Sequence, residues 1–434
     1  MNCNSSSLLE PLNLTTIDDD CKTLIFDFFE WEDLLSLADT SKKLYAAACG
    51  VYRRKYGKGR LHIISEIQRG SFVQPDVDVD DRGKALKLLR NFGHLVSHLF
   101  FSTYKGRYEP VEFVFLIENY LAEYCSKTLK HLELTHPPMI LFKEIRNPFI
   151  NIENIDLHGY QAPICEFPFS SVFPNLNLLQ IWFSCFSEEF TPICIPQMKK
   201  LSLFGGRIHQ RSELNVNRAT NFEENEIKEM LRLNPQLEEL KLNLYSIKDI
   251  IFQDLSLPNL KRLSPTMHFN SNIKNADRYH FENVIDFNLP FHKITNIPFT
   301  FSQLERFEYS CFEDKTIKPY VLEFISENKY LKSVILTNVW DGINSLFPIL
   351  TELNHIEEVS VETTLYEIPS STWNLIPELF SQIQSLKKFT LWISRIRNFS
   401  EKIKNATQNR NPRCVWSKDG GKFGSDLKLT WLRS

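Results

Sequence analysis

Histidine and cysteine, the residue types that most often bind zinc, are scattered along the 434-residue chain. His94 and His98 are the only histidines at four-residue spacing, which would put both imidazoles on one face of a helix. His98, however, falls in a segment that alternates as a strand does, and no third ligand is evident. The nine cysteines are dispersed and contain no Cys-x-x-Cys pair, so they indicate neither a zinc ribbon nor a disulfide framework. The sequence therefore predicts no metal and no cofactor.

Two other segments have the residue types of a binding loop without the required spacing. An EF-hand loop starting at Asp76 would need glycine sixth and glutamate twelfth, and those positions hold Asp81 and Lys87. Residues 419–424 are glycine-rich but do not fit the phosphate-binding loop, and a hairpin turn explains them better. No nucleophile, histidine and acid occur in a recognisable order. We therefore expect a protein that is not an enzyme.

Composition limits the class of partner and the compartment. Hydrophobic residues make up 43% of the chain and charged residues 24%, as in a globular protein. The 50 basic and 53 acidic residues give a net charge of −3, so neither nucleic acid nor an anionic membrane is expected as a partner. No apolar run approaches the roughly 20 residues of a membrane span. The first seven residues lack the basic start and apolar core of a signal peptide, which favours the cytoplasm, the nucleus or both.

A repeated phrase of apolar-x-x-apolar-x-apolar organises most of the chain. Its last two apolar positions alternate with polar ones, as in a short strand with one buried face. A single such strand is unstable, but parallel stacking at a mean spacing of about 26 residues would bury a continuous core. Weaker copies begin at Val96, Leu260 and Phe281. The nine clear copies begin at Leu129, Ile152, Leu176, Met198, Leu237, Leu304, Leu331, Ile356 and Leu386.

Between several phrases, apolar residues at three- and four-residue spacing predict return helices. These helices are expected over residues 110–121, 226–231, 319–327, 343–353 and 375–383. Residues 205–221, which contain Arg207, Arg211 and Arg218, are instead predicted to form a polar loop.

From Val96 to Trp392 the phrases resemble the leucine-rich-repeat superfamily. The family's buried Asn or Cys after each phrase is absent, because those positions hold Pro137, Tyr160, Ser184, Gly206, Tyr245 and Val339. The resemblance implies a curved α/β solenoid with a parallel sheet on its concave face and irregular repeat geometry.

Residues 12–57 lack the phrase and predict three short helices. The first, predicted over residues 18–29, has Asp18, Asp19 and Asp20 at its start, where the helix dipole favours acidic groups. Ser41 is a suitable N-cap for the third helix, which ends in basic residues before Gly57.

Residues 17–34 match the F-box family without a gap, through Ile17, the pair Ile25-Phe26, Phe29 and the pair Asp33-Leu34. The family's proline after its opening leucine is replaced by Asp18. The resemblance implies that an apolar helical face binds the Skp-type adaptor of a cullin ubiquitin ligase. Packing of that face against Val96 and the first repeats is the alternative. The adaptor-binding residues expected from the resemblance are Ile17, Cys21, Leu24, Ile25, Phe28, Phe29, Leu34 and Leu37.

Target binding is expected on the concave strand face, where polar positions of each phrase point outward. Trp182 and Phe204 occupy equivalent positions of consecutive phrases and predict an aromatic hot spot. The alternative is that Trp182 covers an irregular repeat edge. The candidate target-binding residues are Leu178, Gln180, Trp182, Lys200, Phe204, Lys241 and Trp392.

The predicted domains are an F-box at 12–57, a connecting segment at 58–94, degenerate leucine-rich repeats at 95–397 and a C-terminal cap with a hairpin at 398–434. The predicted function is target recognition within a Skp–cullin–F-box ubiquitin ligase, with the adaptor, the cullin core and an unknown protein target as partners. The alternative is a leucine-rich-repeat scaffold whose F-box recruits no ligase.

Overall fold

The computed structural model describes residues 14–64, 77–79, 81–102, 111–135, 148–160, 169–183, 192–205, 216–268, 278–290, 296–310, 316–339, 343–363, 370–393, 413–421 and 424–433. The chain divides into two compact units, Met1–Trp182 and Phe183–Ser434. Each unit combines strands with covering helices. No helix among the described residues has the length and apolarity needed to cross a bilayer.

Unit 1 begins with three helices, α1 (Asp19–Phe26), α2 (Trp31–Ala38) and α3 (Lys42–Tyr56). The Asp18 side chain accepts a hydrogen bond from the Asp20 backbone N–H at the start of α1. Ser41 caps α3 through the Leu44 N–H, and Gly57 follows the last turn, as the sequence predicts. We call residues 14–57 the helical module.

A core of apolar side chains holds the helical module together and joins it to the rest of unit 1. Phe26, Leu34, Ala48 and Val51 are fully buried between the three helices. Tyr52 of α3 stacks at 4.4 Å, between ring centroids, on Phe92 of α4 (Arg82–Phe92). The module is therefore packed on α4.

The sheet of unit 1 has the order β2-β1-β3-β4-β5-β6. The neighbouring pairs from β2 to β5 are parallel and in register. Return segments include the short 3₁₀ turn Gly93–Leu95, the helix α5 (Val111–Tyr120), the π turn Leu121–Cys125 and α6 (Phe169–Val172). The strands are β1 (Arg60–Ile64), β2 (Val77–Val79), β3 (His98–Ser102), β4 (His131–Thr135), β5 (Asn154–Tyr160) and β6 (Leu178–Phe183).

The main sheet of unit 2 has the order β7-β8-β9-β11-β13-β14-β15-β16-β18-β17. Its pairs from β7 to β16 are parallel. The strands are β7 (Lys200–Gly205), β8 (Glu239–Lys248), β9 (Arg262–His268), β11 (Asp286–Pro290), β13 (Arg306–Ser310), β14 (Ser333–Thr337), β15 (Glu358–Thr363), β16 (Lys388–Ile393), β17 (Arg413–Gly421) and β18 (Gly424–Leu432).

Helices and aromatic side chains cover the other face of the sheet in unit 2. The helices are α7 (Val216–Arg232), α8 (Pro319–Glu327), α9 (Ile343–Thr351) and α10 (Ser370–Gln382), with a 3₁₀ turn at Asp249–Phe252. Two short parallel strands, β10 (Tyr279–Phe281) and β12 (Phe299–Phe301), replace a helix in the middle. Phe287, Phe299, Phe307 and Phe324 contact one another there, which accounts for part of the chain's high phenylalanine content.

The repeated phrase predicts the strands well, with one register error. Every clear copy contains a described strand, and its two alternating apolar residues are buried. The weak copy assigned to Phe281 is wrong, because the phrase that enters the sheet starts at Val284 and continues through Phe287 and Leu289. Phe281 lies three residues earlier, in β10. Two apolar sets at this spacing compete, and packing selects the one whose strand pairs with β9.

Three other segments differ from the sequence prediction. The described part of 58–94, expected as a connection, forms β1, β2 and α4. The predicted polar loop 205–221 ends early, because α7 begins at Val216, ten residues before the expected helix. The predicted first helix also ends at Phe26 rather than at Phe29, so Phe28 and Phe29 lie in the turn before α2.

Candidate functional site

The two most exposed large apolar side chains among the described residues of unit 1 lie close in sequence at the end of α1. Leu24 is 65% exposed, Phe28 is 87% exposed, and Ile25 lies between them in sequence. We call these three residues the α1 ridge. Burial of an apolar side chain away from water lowers the free energy of the system. Neighbouring exposed apolar side chains therefore indicate a surface that binds another molecule.

The backbone under the α1 ridge is held by interactions with α3. The Lys55 ammonium donates to the Phe29 carbonyl at 2.7 Å, and the Tyr56 hydroxyl donates to Glu30 at 3.0 Å. Phe26 is buried and stacks on Phe29 at 5.5 Å between ring centroids. The ridge is therefore presented by a fixed turn.

Asp18, which occupies the position of the family's proline, has a local role of its own. It caps α1 with its carboxylate, and its backbone φ of −56° lies in the range that proline imposes. Aspartate at this position is thus compatible with a backbone direction that proline would also allow, and it adds an N-cap.

The remaining residues predicted to bind an adaptor differ in their exposure to solvent. Cys21 is exposed, while Ile17, Phe29 and Leu37 are partly exposed. Leu34 is fully buried and cannot contact a partner in this conformation, so its assignment is corrected. The reason is that Leu34 lies on the side of α2 that contributes to the module's core, together with Leu35.

On the open strand face of unit 1, histidines and carboxylates form a connected cluster. Glu133 of β4 lies directly opposite Asp156 of β5 in the parallel register. His131 Nε2 lies 3.1 Å from Asp156 Oδ2, and His158 Nε2 lies 3.1 Å from Glu133 Oε1. We call these four residues the β4–β5 cluster. Ligand atoms of His131, Glu133 and Asp156 all lie within 4.8 Å of one another, a grouping that could hold a metal ion.

Aromatic side chains flank the β4–β5 cluster on both sides. His98 of β3 stacks on His131 at 5.6 Å, and Trp182 of β6 stacks on His158 at 5.3 Å, both between ring centroids. Burial lowers the pKa of His98, and the nearby His131, Arg60 and Lys130 add to that effect. His98 is therefore favoured in its neutral form.

The open strand face of unit 2 has a row of alternating charge. Five charged residues lie side by side on consecutive strands, each opposite the next in the parallel register. In order they are Lys200, Glu239, Arg262, Asp286 and Arg306. Neighbours along this row lie 3.3 to 3.8 Å apart between charged atoms. Because the charges neutralise one another, the row offers no single-sign surface to a polyanion such as nucleic acid.

The middle of this row opens into a cavity of about 260 Å³. Burial raises the pKa of Asp286, and the guanidinium groups of Arg306 and Arg262 offset that effect only in part. Arg306 also bonds Glu308 at 2.9 Å. The cavity is lined by Glu239, Leu240, Lys241, Arg262, Leu263, Ser264, Asp286, Asn288, Arg306 and Glu308.

The predicted target-binding residues have different environments. Trp182 and Trp392 are exposed, Lys241 is exposed, and Leu178, Gln180 and Lys200 are partly buried. Phe204 is buried, so its predicted exposure is wrong. The Lys241 ammonium lies 5.3 Å from the Phe204 ring centroid, so the neighbouring strand helps to cover this ring. The predicted hot spot of two exposed aromatic side chains is therefore reduced to Trp182.

The four residues of the β4–β5 cluster occupy the polar positions of two phrases, which the sequence predicts to point outward, but no cluster was predicted there. The signal was present, since His131-x-Glu133 and Asp156-x-His158 occupy consecutive phrases. The histidines of the cluster are brought together by the pairing of two neighbouring strands, and not by the four-residue spacing of a helix face.

Comparison with known proteins assigns no family. No family model matches the chain, and no curated protein matches it. Among solved structures, the crystal structure of the Rad7 and Elc1 complex in yeast is similar over 85% of this chain and 87% of the other, at 12% sequence identity and a TM-score of 0.35. A TM-score of that size is too low to assign a shared fold, so function is inferred from the chain's own residues.

Proposed function

We propose that the chain is a non-catalytic target receptor of a cullin–RING ubiquitin ligase. The helical module acts as an F-box that binds a Skp-type adaptor, and the repeat strands bind a protein target. The receptor performs no bond chemistry; it raises the local concentration of the target's lysines beside the ubiquitin-carrying enzyme. The observation that carries the proposal is the exposed α1 ridge on a module that resembles the F-box.

Two features support an adaptor as the occupant of the ridge. The module packs on α4 through Tyr52, so the ridge is left exposed on α1. The ridge residues also fall within the segment 17–34 that resembles the F-box. Burying one large apolar side chain contributes about 1.5 to 3 kcal/mol, so three such residues are ample for a stable complex after ordering costs.

The test measures binding of the purified full chain to a purified Skp-type adaptor by isothermal titration calorimetry. Leu24→Asp and Phe28→Asp each remove an apolar contact that would be buried in the complex with the adaptor, and each places a carboxylate in that interface. We expect each to weaken adaptor binding by at least about 30-fold, because about 2 kcal/mol corresponds to that ratio. Both side chains are exposed in the free protein, so the thermal unfolding midpoint should stay within about 2 °C.

Tyr330→Asp is the matched control, because Tyr330 is an exposed aromatic residue outside the helical module and should leave adaptor affinity unchanged. If the wild-type chain does not bind the adaptor, or if the ridge variants bind as tightly as Tyr330→Asp, the ligase proposal is wrong. The scaffold alternative then stands, and the target's half-life in cells would be independent of Leu24 and Phe28.

A further inference from the structure

We propose that the β4–β5 cluster is a binding site for a divalent transition-metal ion, with Zn²⁺ as the best-matched ion. His131 and His158 would supply imidazole nitrogens, and Glu133 and Asp156 would supply carboxylate oxygens. The site lies within unit 1 and is separate from the α1 ridge. It goes beyond the proposed adaptor and target functions.

The first argument is charge. Glu133 and Asp156 lie directly opposite each other on neighbouring strands, and their side chains are only 17% and 12% exposed. Like charges at directly opposite strand positions repel, and burial strengthens the repulsion. Arg60 approaches Glu133 at 3.7 Å, but its side chain is 58% exposed and offers a weak, solvent-screened pair. A cation bound between the two carboxylates would remove this conflict.

The second argument is an unsatisfied acceptor. Asp156 is 9% exposed, and its Oδ1 atom is buried with no hydrogen-bond partner among the described residues. Its other oxygen, Oδ2, contacts His131. A buried carboxylate oxygen without a partner is costly unless a ligand completes it.

The third argument is geometry. Ligand atoms around tetrahedral zinc lie about 3.4 Å apart, as follows from bond lengths of about 2.1 Å. The pairs His131–Asp156 and His158–Glu133 are already at 3.1 Å, and the His131, Glu133 and Asp156 ligand atoms fall within 4.8 Å of one another. Small side-chain rotations would therefore close the site. Stacking of His98 and Trp182 on the two imidazoles limits their ring rotation and pre-orients them.

Ligand chemistry selects the class of ion. Two imidazoles with two carboxylates suit zinc and similar borderline metals, whereas calcium prefers 6 to 8 oxygen ligands and magnesium an all-oxygen octahedron. The matched register of two short strands brings three of these ligands within 4.8 Å of one another, and His158 lies beside Glu133 as the candidate fourth.

The test is titration of the chelator-treated full chain with Zn²⁺ against a colorimetric indicator, together with the absorption spectrum after Co²⁺ addition. We expect one equivalent of tight binding and a cobalt spectrum without thiolate charge transfer. The spectrum is needed because Cys21 and Cys194 are exposed and could bind zinc independently. His131→Ala and Asp156→Asn should each weaken zinc binding by at least about tenfold.

His355→Ala is the control, because His355 is exposed and stacks on Tyr330 outside the cluster. Asp156→Asn keeps the side-chain shape and removes the like-charge repulsion, so this variant should remain folded; circular dichroism checks it. The site is disproved if no saturable binding occurs, if the cobalt spectrum shows thiolate ligation only, or if His131→Ala binds zinc as tightly as His355→Ala.

Discussion

At the scale of single residues, helix α7 contains two glutamates whose environments shift their side-chain pKa values in opposite directions. Burial raises the pKa of Glu226 to about 7, and its Oε2 atom is buried without a hydrogen-bond partner among the described residues. Glu229, three residues later, bonds Arg232 at 2.6 Å, and this bond lowers the pKa of Glu229. Sequence alone could not separate them, because the difference depends on which face of α7 is covered.

Glu226 should therefore make unit 2 less stable as pH rises. The folded state binds the Glu226 proton more tightly than the unfolded state does, so the free energy of unfolding falls as pH increases from about 4.5 to about 7. Glu226→Gln should remove this contribution and raise the thermal midpoint at pH 8, with a much smaller effect at pH 5. Differential scanning fluorimetry across that range measures the effect.

Glu229→Gln is the control in the same helix. Its effect on stability should have the opposite sign, with a small loss at pH 8. The favourable bond between Glu229 and Arg232 is present above the usual glutamate pKa and is lost as pH falls. Equal thermal midpoints for wild type and Glu226→Gln at both pH values would show that burial does not raise the pKa of Glu226.

At the scale of elements, the strands could be predicted and the turns that join them could not. The phrase found the strands because alternation and burial are local properties of the sequence. The turns are fixed by bonds between repeats, about 25 residues apart. Asn175 donates to the Ile150 carbonyl at 2.7 Å, and Asn283 donates to the Pro258 carbonyl at 2.8 Å. These asparagines stand directly before the phrase rather than after it, where the family pattern has its buried Asn or Cys.

Two return helices of unit 2, α7 and α8, are followed by a second kind of asparagine, which lies three residues before the phrase. Asn234 is fully buried; it donates to the carbonyls of Ile193 and Met230 at 2.7 Å and accepts from the Ile195 N–H at 2.9 Å. Asn328, at the equivalent position after α8, has one such bond among the described residues, to the Phe324 carbonyl at 2.7 Å. The sequence contains both residues, but only the fold shows that they differ in the number of bonds.

The two asparagines predict unequal costs of substitution. Asn234→Ala would leave three buried backbone groups without partners, and we expect a loss of about 3 kcal/mol or more in the free energy of unfolding. Asn328→Ala would affect one group and should cost about 1 kcal/mol. Urea denaturation of both variants measures this difference. Equal losses would mean that the bonds of Asn234 to residues 193–195 do not stabilise the protein.

At the scale of the whole chain, a stack of parallel strands has edges that must be covered, because open edges pair with other molecules. In unit 2 the C-terminal hairpin covers β16: β18 pairs antiparallel with β16, and β17 pairs with β18. This hairpin was predicted from the glycine-rich turn between two strand-like runs. The direction of its pairing follows from chain connectivity, since β17 and β18 are only two residues apart in sequence and so short a connection joins only antiparallel strands.

Contacts of side chains fix the hairpin on the repeats. Trp431 is buried against Phe389 at 5.9 Å between ring centroids. The Arg433 guanidinium donates to the carbonyls of Phe380, in the last turn of α10, and of Ile383, just after this helix. The hairpin therefore contributes both edge protection and packing, and two variants separate these roles.

Deleting residues 413–434 should expose the whole edge of β16 and cause self-association, seen as a higher mass in size-exclusion chromatography with light scattering. Trp431→Ala keeps the paired strands and removes only the packing, so it should lower the free energy of unfolding by about 3 to 5 kcal/mol while the protein stays in its original oligomeric state. If the deletion variant keeps the mass of a single chain, the hairpin is not needed to prevent the edge of β16 from pairing with another chain. If Trp431→Ala self-associates as the deletion does, packing of Trp431, rather than the strand bonds of β18, keeps the edge closed.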